Sequence, residues 1–220
     1  MIELKGLSKT YTVSGKIIKA LQPLDLTIQQ GDFVSIVGHS GSGKSTFLSL
    51  VGGIARPETG TVMIDGIDIW KYSDSDLSKL RNEKFGFVYQ FASLIPTLTA
   101  AENVLLPTVF GGNRTAANAA QLLQRVGLGD KTDRYPSELS GGEQQRVAIA
   151  RAFIHEPHII LADEPTGDLD EETESEIMGF FESINREKKM TLIMVTHSSE
   201  IALRAPTRFR MKQGILEKIA

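Results

Sequence analysis

Residues 38–46 read Gly38-His39-Ser40-Gly41-Ser42-Gly43-Lys44-Ser45-Thr46, directly after the apolar run 33–37 and at the start of a helical pattern. Glycines at such a strand-to-helix turn let backbone N–H groups wrap an anion, and the helix dipole favours negative charge at the same place. The chemistry this predicts is phosphate binding. Lys44 would reach the β- and γ-phosphates of a nucleotide, Ser45 would ligate Mg²⁺, and the rest of the segment would form the cradle.

A second segment, Ile159-Ile160-Leu161-Ala162, is continuously apolar, as in a parallel strand covered by helices on both faces, and it ends in Asp163-Glu164. From a strand end beside the cradle, Asp163 would hold Mg²⁺ through water. Glu164, one residue further on, would point toward the γ-phosphate as general base. Adjacent carboxylates can also form an ordinary solvated turn; the buried run before them and Pro165 after them favour the chemical reading. A third segment, Leu139-Ser140-Gly141-Gly142-Glu143, lies far along the chain from the cradle and before a helix expected over 143–153, where glycines could also merely mark a helix start.

Cradle and third segment together resemble the ATP-binding subunits of ABC (ATP-binding cassette) transporters, over essentially the whole chain. The resemblance implies an α/β P-loop NTPase fold with a mainly parallel core sheet, an antiparallel N-terminal β subdomain and an inserted helical subdomain. It also implies ATP and Mg²⁺ as ligands and ATP hydrolysis as the activity. Two copies would pack head to tail, so that Ser140 and the Gly141 and Gly142 backbone cap the ATP held by the other copy. Asp170, in Gly167-Asp168-Leu169-Asp170, matches the loop that crosses that interface. Gln90, after Phe87-Val88-Tyr89, matches the glutamine that touches Mg²⁺ and the attacking water, in a loop that then meets a membrane subunit. His197, after Val195-Thr196, matches the histidine that hydrogen-bonds the γ-phosphate, and Tyr11 the aromatic ring that stacks on adenine. Read without the resemblance, Tyr11 is a hairpin tyrosine and His197 a satisfied strand-end residue. His39 stands at a variable position of the cradle, and Glu143 where the family usually has glutamine.

Composition narrows the function classes. The 220 residues are 41% hydrophobic, enough to bury a sizeable core, and are read as a single ATP-binding domain with 1–90 and 155–220 as nucleotide-binding core and 91–154 as helical lobe. With 24 basic and 27 acidic residues the net charge is −3, and the basic residues are scattered, which disfavours a nucleic-acid partner. The absence of cysteine excludes disulfides and thiolate chemistry. Nothing resembles a signal peptide or a membrane span, so the chain is expected to be soluble in itself and to reach the cytoplasmic face of the inner membrane through a partner. Asn113-Arg114-Thr115 matches a glycosylation acceptor by accident on this reading. His155-Glu156-Pro157-His158 lacks zinc-protease spacing and is expected to be a surface turn.

Strands are expected over 2–7, 24–28, 33–37, 61–64, 85–88, 159–162 and 191–195, and helices over 44–51 and 116–126. A further helix starts at Glu171, capped by Asp170, with Ile177, Phe180, Phe181 and Ile184 on one face. The charges from Arg204 to Lys212 read as solvated surface. Within the family, Phe87-Val88-Tyr89-Gln90, the segment from Leu94 to Val104 and the segment from Ala162 to Asp170 are similar to the branch of lipoprotein-release, macrolide-export and cell-division ATPases. In that branch dimer closure moves a membrane protein with a large extracytoplasmic domain. A conventional importer ATPase, a regulatory ATPase that moves no cargo and a soluble ATPase of the iron–sulfur assembly type are the alternatives.

Overall fold

The apolar runs become the centre of a six-stranded sheet. In the computed structural model, which describes residues 1–111, 115–167 and 169–219, β3 (Phe33–Val37), β8 (Thr191–Thr196), β7 (Ile159–Asp163) and β6 (Phe85–Val88) lie side by side and parallel. On the other side of β3, β9 (Thr207–Lys212) adds a parallel strand and β10 (Ile215–Ile219) closes the edge antiparallel. Asp168 and part of the Asn113-Arg114-Thr115 segment lie outside the described residues.

Strands β7 and β8 are apolar on both faces because each face has its own cover. Ile160, Ala162, Leu192 and Met194 join a core with α6 (Glu171–Lys188) and the helices between β6 and β7. Ile159, Leu161, Ile193 and Val195 join a second core with α1 (Lys44–Val51) and a four-stranded antiparallel sheet. That second sheet, ordered β2-β1-β4-β5, comprises β1 (Ile2–Val13), β2 (Lys16–Ile28), β4 (Thr59–Ile64) and β5 (Ile67–Asp68). The fold is thus the α/β P-loop architecture with a mainly parallel sheet and an antiparallel N-terminal sheet.

Several elements depart from the sequence reading, each for a local reason. The first two strands outrun their apolar cores, pairing through Thr10–Lys19 and Tyr11–Ile18 to the tip at Val13–Lys16, where the exposed hairpin carries no burial signal. α2 (Asp74–Lys84) escapes the hydrophobic pattern because only Leu77 is buried; Ser73 caps it by accepting from the Asp76 N–H. The residues from Arg204 to Lys212 are not all solvated surface: β9 buries Phe209 and Met211 between charged neighbours, and Arg204 Nε bonds Glu182 at 2.6 Å.

Between β6 and β7 lie α3 (Ala100–Leu105), α4 (Ala116–Arg125) and α5 (Gly141–Ala152), preceded by an irregular stretch over 91–99 rather than by helix. Asn103, fully buried, organises that stretch. Its Oδ1 accepts from the Ile95 N–H at 2.7 Å, and Nδ2 donates to the carbonyls of Ile95, Leu98 and Thr99 at 3.0–3.1 Å. Removing the amide would orphan buried backbone groups. Asn103→Ala is expected to lower stability by about 2 to 4 kcal/mol, read as a fall in urea midpoint at unchanged slope.

Candidate active site

Parallel register brings the chemistry to one edge. Val37 pairs with Thr196 and Val195 with Asp163, so the carboxyl ends of β3, β8 and β7 finish on adjoining rungs. The cradle leaves β3 there, Glu164 follows β7, and His197 follows β8, where open α/β sheets place their ligands.

The cradle is squeezed between two other strands. A Cβ on Gly38 would lie 2.4 Å from Met211 O, and one on Gly43, at φ +111°, would lie 2.2 Å from Ala20 O. Only glycine fits either position, which holds 38–43 against β9 and β2. Gly41, at φ +74°, faces open space, so its backbone can approach a ligand closely. α1 starts at Gly43 with no side-chain cap and no acidic residue in its first turn, and the buried Ser42 Oγ has no partner. Unsatisfied N–H groups and an orphan hydroxyl at a helix start suit a polyphosphate. His39, Ser40 and Ser45 are exposed, and Thr46 is half-buried on the first turn.

Lys44 is buried, its ammonium donating to Gly38 O at 2.7 Å and His39 O at 3.2 Å, with Glu164 Oε1 at 3.7 Å. Glu164 Oε2 accepts from the His197 N–H at 3.0 Å and meets His197 Nδ1 at 2.9 Å. Glu164 itself holds φ +48°, unusual for a non-glycine residue, with its N–H on Val195 O at 2.9 Å. Asp163 ends β7 beside the Ser45 hydroxyl. Burial, then the neighbouring Glu164 charge, push its carboxyl above the ordinary value, against the pull of Ser45 and Lys44. A hydroxyl and a carboxylate, completed by phosphate oxygens and water, make a suitable Mg²⁺ donor set.

Lys44, Ser45, Asp163, Glu164 and His197 therefore converge. Gln90 stands exposed just beyond β6, with no hydrogen bond to that cluster among the described residues. Tyr11 lies one register position beyond the Thr10–Lys19 pair, close to the Ala20 that abuts Gly43. Ser140, Gly141 and Gly142 form a separate turn that opens α5, two residues earlier than the helix read from sequence. Ser140 Oγ accepts from the Glu143 N–H, and the Glu143 carboxylate accepts from the Ser140 N–H at 2.8 Å and pairs with Lys131. Leu169 sits against Gly142, 3.1 Å from where a Cβ would be. Asp170 spends both oxygens on the cap of α6, accepting from the Thr173 N–H and Oγ1 at 3.0 and 2.7 Å.

One organising residue went unread in the sequence. Gln145, buried on α5, donates to Tyr89 O at 2.8 Å and Pro165 O at 3.3 Å, tying the loop of Gln90 to the loop after Glu164. Its only signal was a polar residue on the buried face of a helix.

A family profile described as ABC transporter matches residues 21–167. The chain belongs to the ABC transporter family. As a member it is an ATPase. The ABC relatives include the LolD lipoprotein-releasing system ATP-binding protein of Syntrophus aciditrophicus, 43% identical over 97% of each chain. The macrolide export protein MacB of Rhodopirellula baltica is 42% identical over 98% of this chain, which spans only 32% of that protein. Among solved structures, the dimeric post-hydrolysis ATP-binding cassette MJ0796 bound to ADP and Pi superposes with a TM-score of 0.93 at 42% identity, covering 100% of this chain and 99% of that one.

Two outcomes follow from this ABC site. Because burial raises the folded Asp163 pKa above its unfolded value, the folded state holds that proton to higher pH, and its stabilising effect is lost as pH rises through the folded pKa. At pH 7 Asp163→Asn is expected to raise the melting temperature of the nucleotide-free protein by a few degrees. The gain should shrink toward pH 4; calorimetry at both pH values checks it. Gln145→Leu should keep the fold and nucleotide affinity but lower kcat by about ten- to a hundredfold, as loosened positioning of two active-site loops would, measured by steady-state and nucleotide-binding assays.

Proposed function

We propose that this chain hydrolyses ATP as one half of a head-to-tail dimer that drives a membrane subunit, in export, lipoprotein release or mechanotransmission. The observation that carries the reading is Glu164, held by His197 at 2.9 Å and 3.7 Å from the cradle lysine. On this reading Lys44 binds the β- and γ-phosphates, Glu164 takes the proton of the attacking water, and His197 orients Glu164 and donates to the γ-phosphate. Ser45, Asp163 and Gln90 would hold Mg²⁺, which when bound would neutralise charge on the phosphates. Tyr11 stacks on adenine. Ser140, Gly141 and Gly142 cap the phosphates bound by the other copy, with Asp170 shaping the interface loop. Residues 1–90 and 155–220 act as nucleotide-binding core and 91–154 as the helical lobe.

A groove of about 730 Å³ beside the Gln90 loop supports a membrane partner. Phe87, Tyr89, Leu106 and Phe110 line it together with Lys79, Arg81, Arg151 and His155, and no carboxylate among the described residues does. Phe110 is 80% exposed. Arg151 also donates to Ala92 O and Ser93 O, coupling the groove to the Gln90 loop. A short amphipathic helix of the membrane subunit, on the cytoplasmic face of the inner membrane, fits this lining. No helix among the described residues is long and apolar enough to cross a membrane itself.

Glu164→Gln should bind ATP yet lose turnover by about 10²- to 10⁴-fold, and should accumulate as a dimer on addition of ATP. Cross-linking that variant in its native cells and identifying the co-purifying membrane proteins tests the partner. A four-helix subunit with a large extracytoplasmic domain supports the reading, a many-helix permease points to a conventional importer, and absence of any membrane protein overturns it.

A further inference from the structure

In a head-to-tail dimer whatever adjoins the Ser140–Gly142 turn of one copy faces whatever adjoins the cradle of the other. Beside that turn lies Leu169 on Gly142, followed by the acidic start of α6. Glu171 and Glu172 there are exposed and form no ion pair among the described residues. Asp170, by contrast, is committed to its cap.

Beside the cradle the charge is reversed. A cavity of about 670 Å³ is lined by the cradle, His39 included, and by His197, Arg210 and Lys212, with Glu217 as its one carboxylate among the described residues. β9 presents Arg208, Arg210 and Lys212 on one face, because Phe209 and Met211 occupy the other. Glu217 lies opposite Arg210 on β10, yet no ion pair joins them within 4.0 Å. Arg208 Nε is buried without a partner. Like charges massed on one edge of a protein with net charge −3 repel one another unless an opposite charge meets them.

We propose that the cationic rim formed by His39, Arg210 and Lys212 receives Glu171 and Glu172 of a second copy, so that charge steers and registers closure of the ATP dimer. This rests on the head-to-tail closure proposed above. The two-fold symmetry makes the contact twice, and each copy supplies both halves. Surface charges at this range are screened over about 8 to 10 Å at physiological salt, so closure should weaken as salt is added.

The test uses the full chain in the Glu164→Gln background with ATP, by analytical ultracentrifugation. Arg210→Glu with Lys212→Glu, and separately Glu171→Lys with Glu172→Lys, should each weaken homodimerisation by about tenfold or more, because like charges then face each other. Mixing the two variants should restore dimers, since in the mixed pair every contact is again between opposite charges. Homodimers of both variants as tight as the parent, or a mixture no tighter than either variant alone, would overturn the pairing. Failure of the Glu164→Gln parent itself to dimerise would instead remove the head-to-tail reading and the proposal with it.

Discussion

Everything at the active edge depends on the register of three parallel strands. β3, β8 and β7 are apolar on both faces, so alternation of polarity cannot choose their alignment; a slip would exchange one apolar set for another. Close fits choose it instead. Ser35 Oγ donates to Ala202 O at 2.9 Å, and a Cβ on Gly86 would lie 2.3 Å from Ala152 O and 2.5 Å from the Ile160 side chain. A shift of one residue would bury the Ser35 hydroxyl unpaired and drive a side chain into α5. Those penalties fix β3 and β6 in the sheet, within which Asp163 pairs with Val195 and Glu164 follows level with His197.

The same economy links the catalytic edge to distant loops. Gln145 reaches two of them from one helix, Arg151 holds the start of the Gln90 loop, and Asn103 closes its end. A change of helix position would therefore be felt at Tyr89 and Pro165 together. Hydrogen bonds from side chains to carbonyls suit that task, because they are directional and lose strength within a fraction of an ångström.

Much of the central sheet was legible because burial on both faces leaves unbroken apolar runs, as at 33–37 and 159–162. The glycine turn at 38–43 was legible because glycine is the one residue that can sit against Met211 O or Ala20 O. The turn of Ser140 was legible, but not its helix boundary, since the two glycines that read as a break are inside the helix behind a reciprocal cap with Glu143. What escaped the sequence was non-local. Nothing in the residues 143–147 says that Gln145 will meet two loops, one before it and one after it in the chain. Nothing in the charges from Arg208 to Lys212 says that apolar neighbours will make them one face of a strand.

The backbone of Glu164 has a consequence of its own. A left-handed φ of +48° disfavours every side chain with a Cβ and is relaxed by glycine. Glycine at this position would also remove a carboxylate held beside Asp163. If Glu164 is the base proposed above, the residue that the chemistry needs is the one that the local conformation opposes, and selection for thermal robustness alone would drift toward an inert protein. On the proposed mechanism, hydrolysis is what keeps a glutamate in a glycine's place.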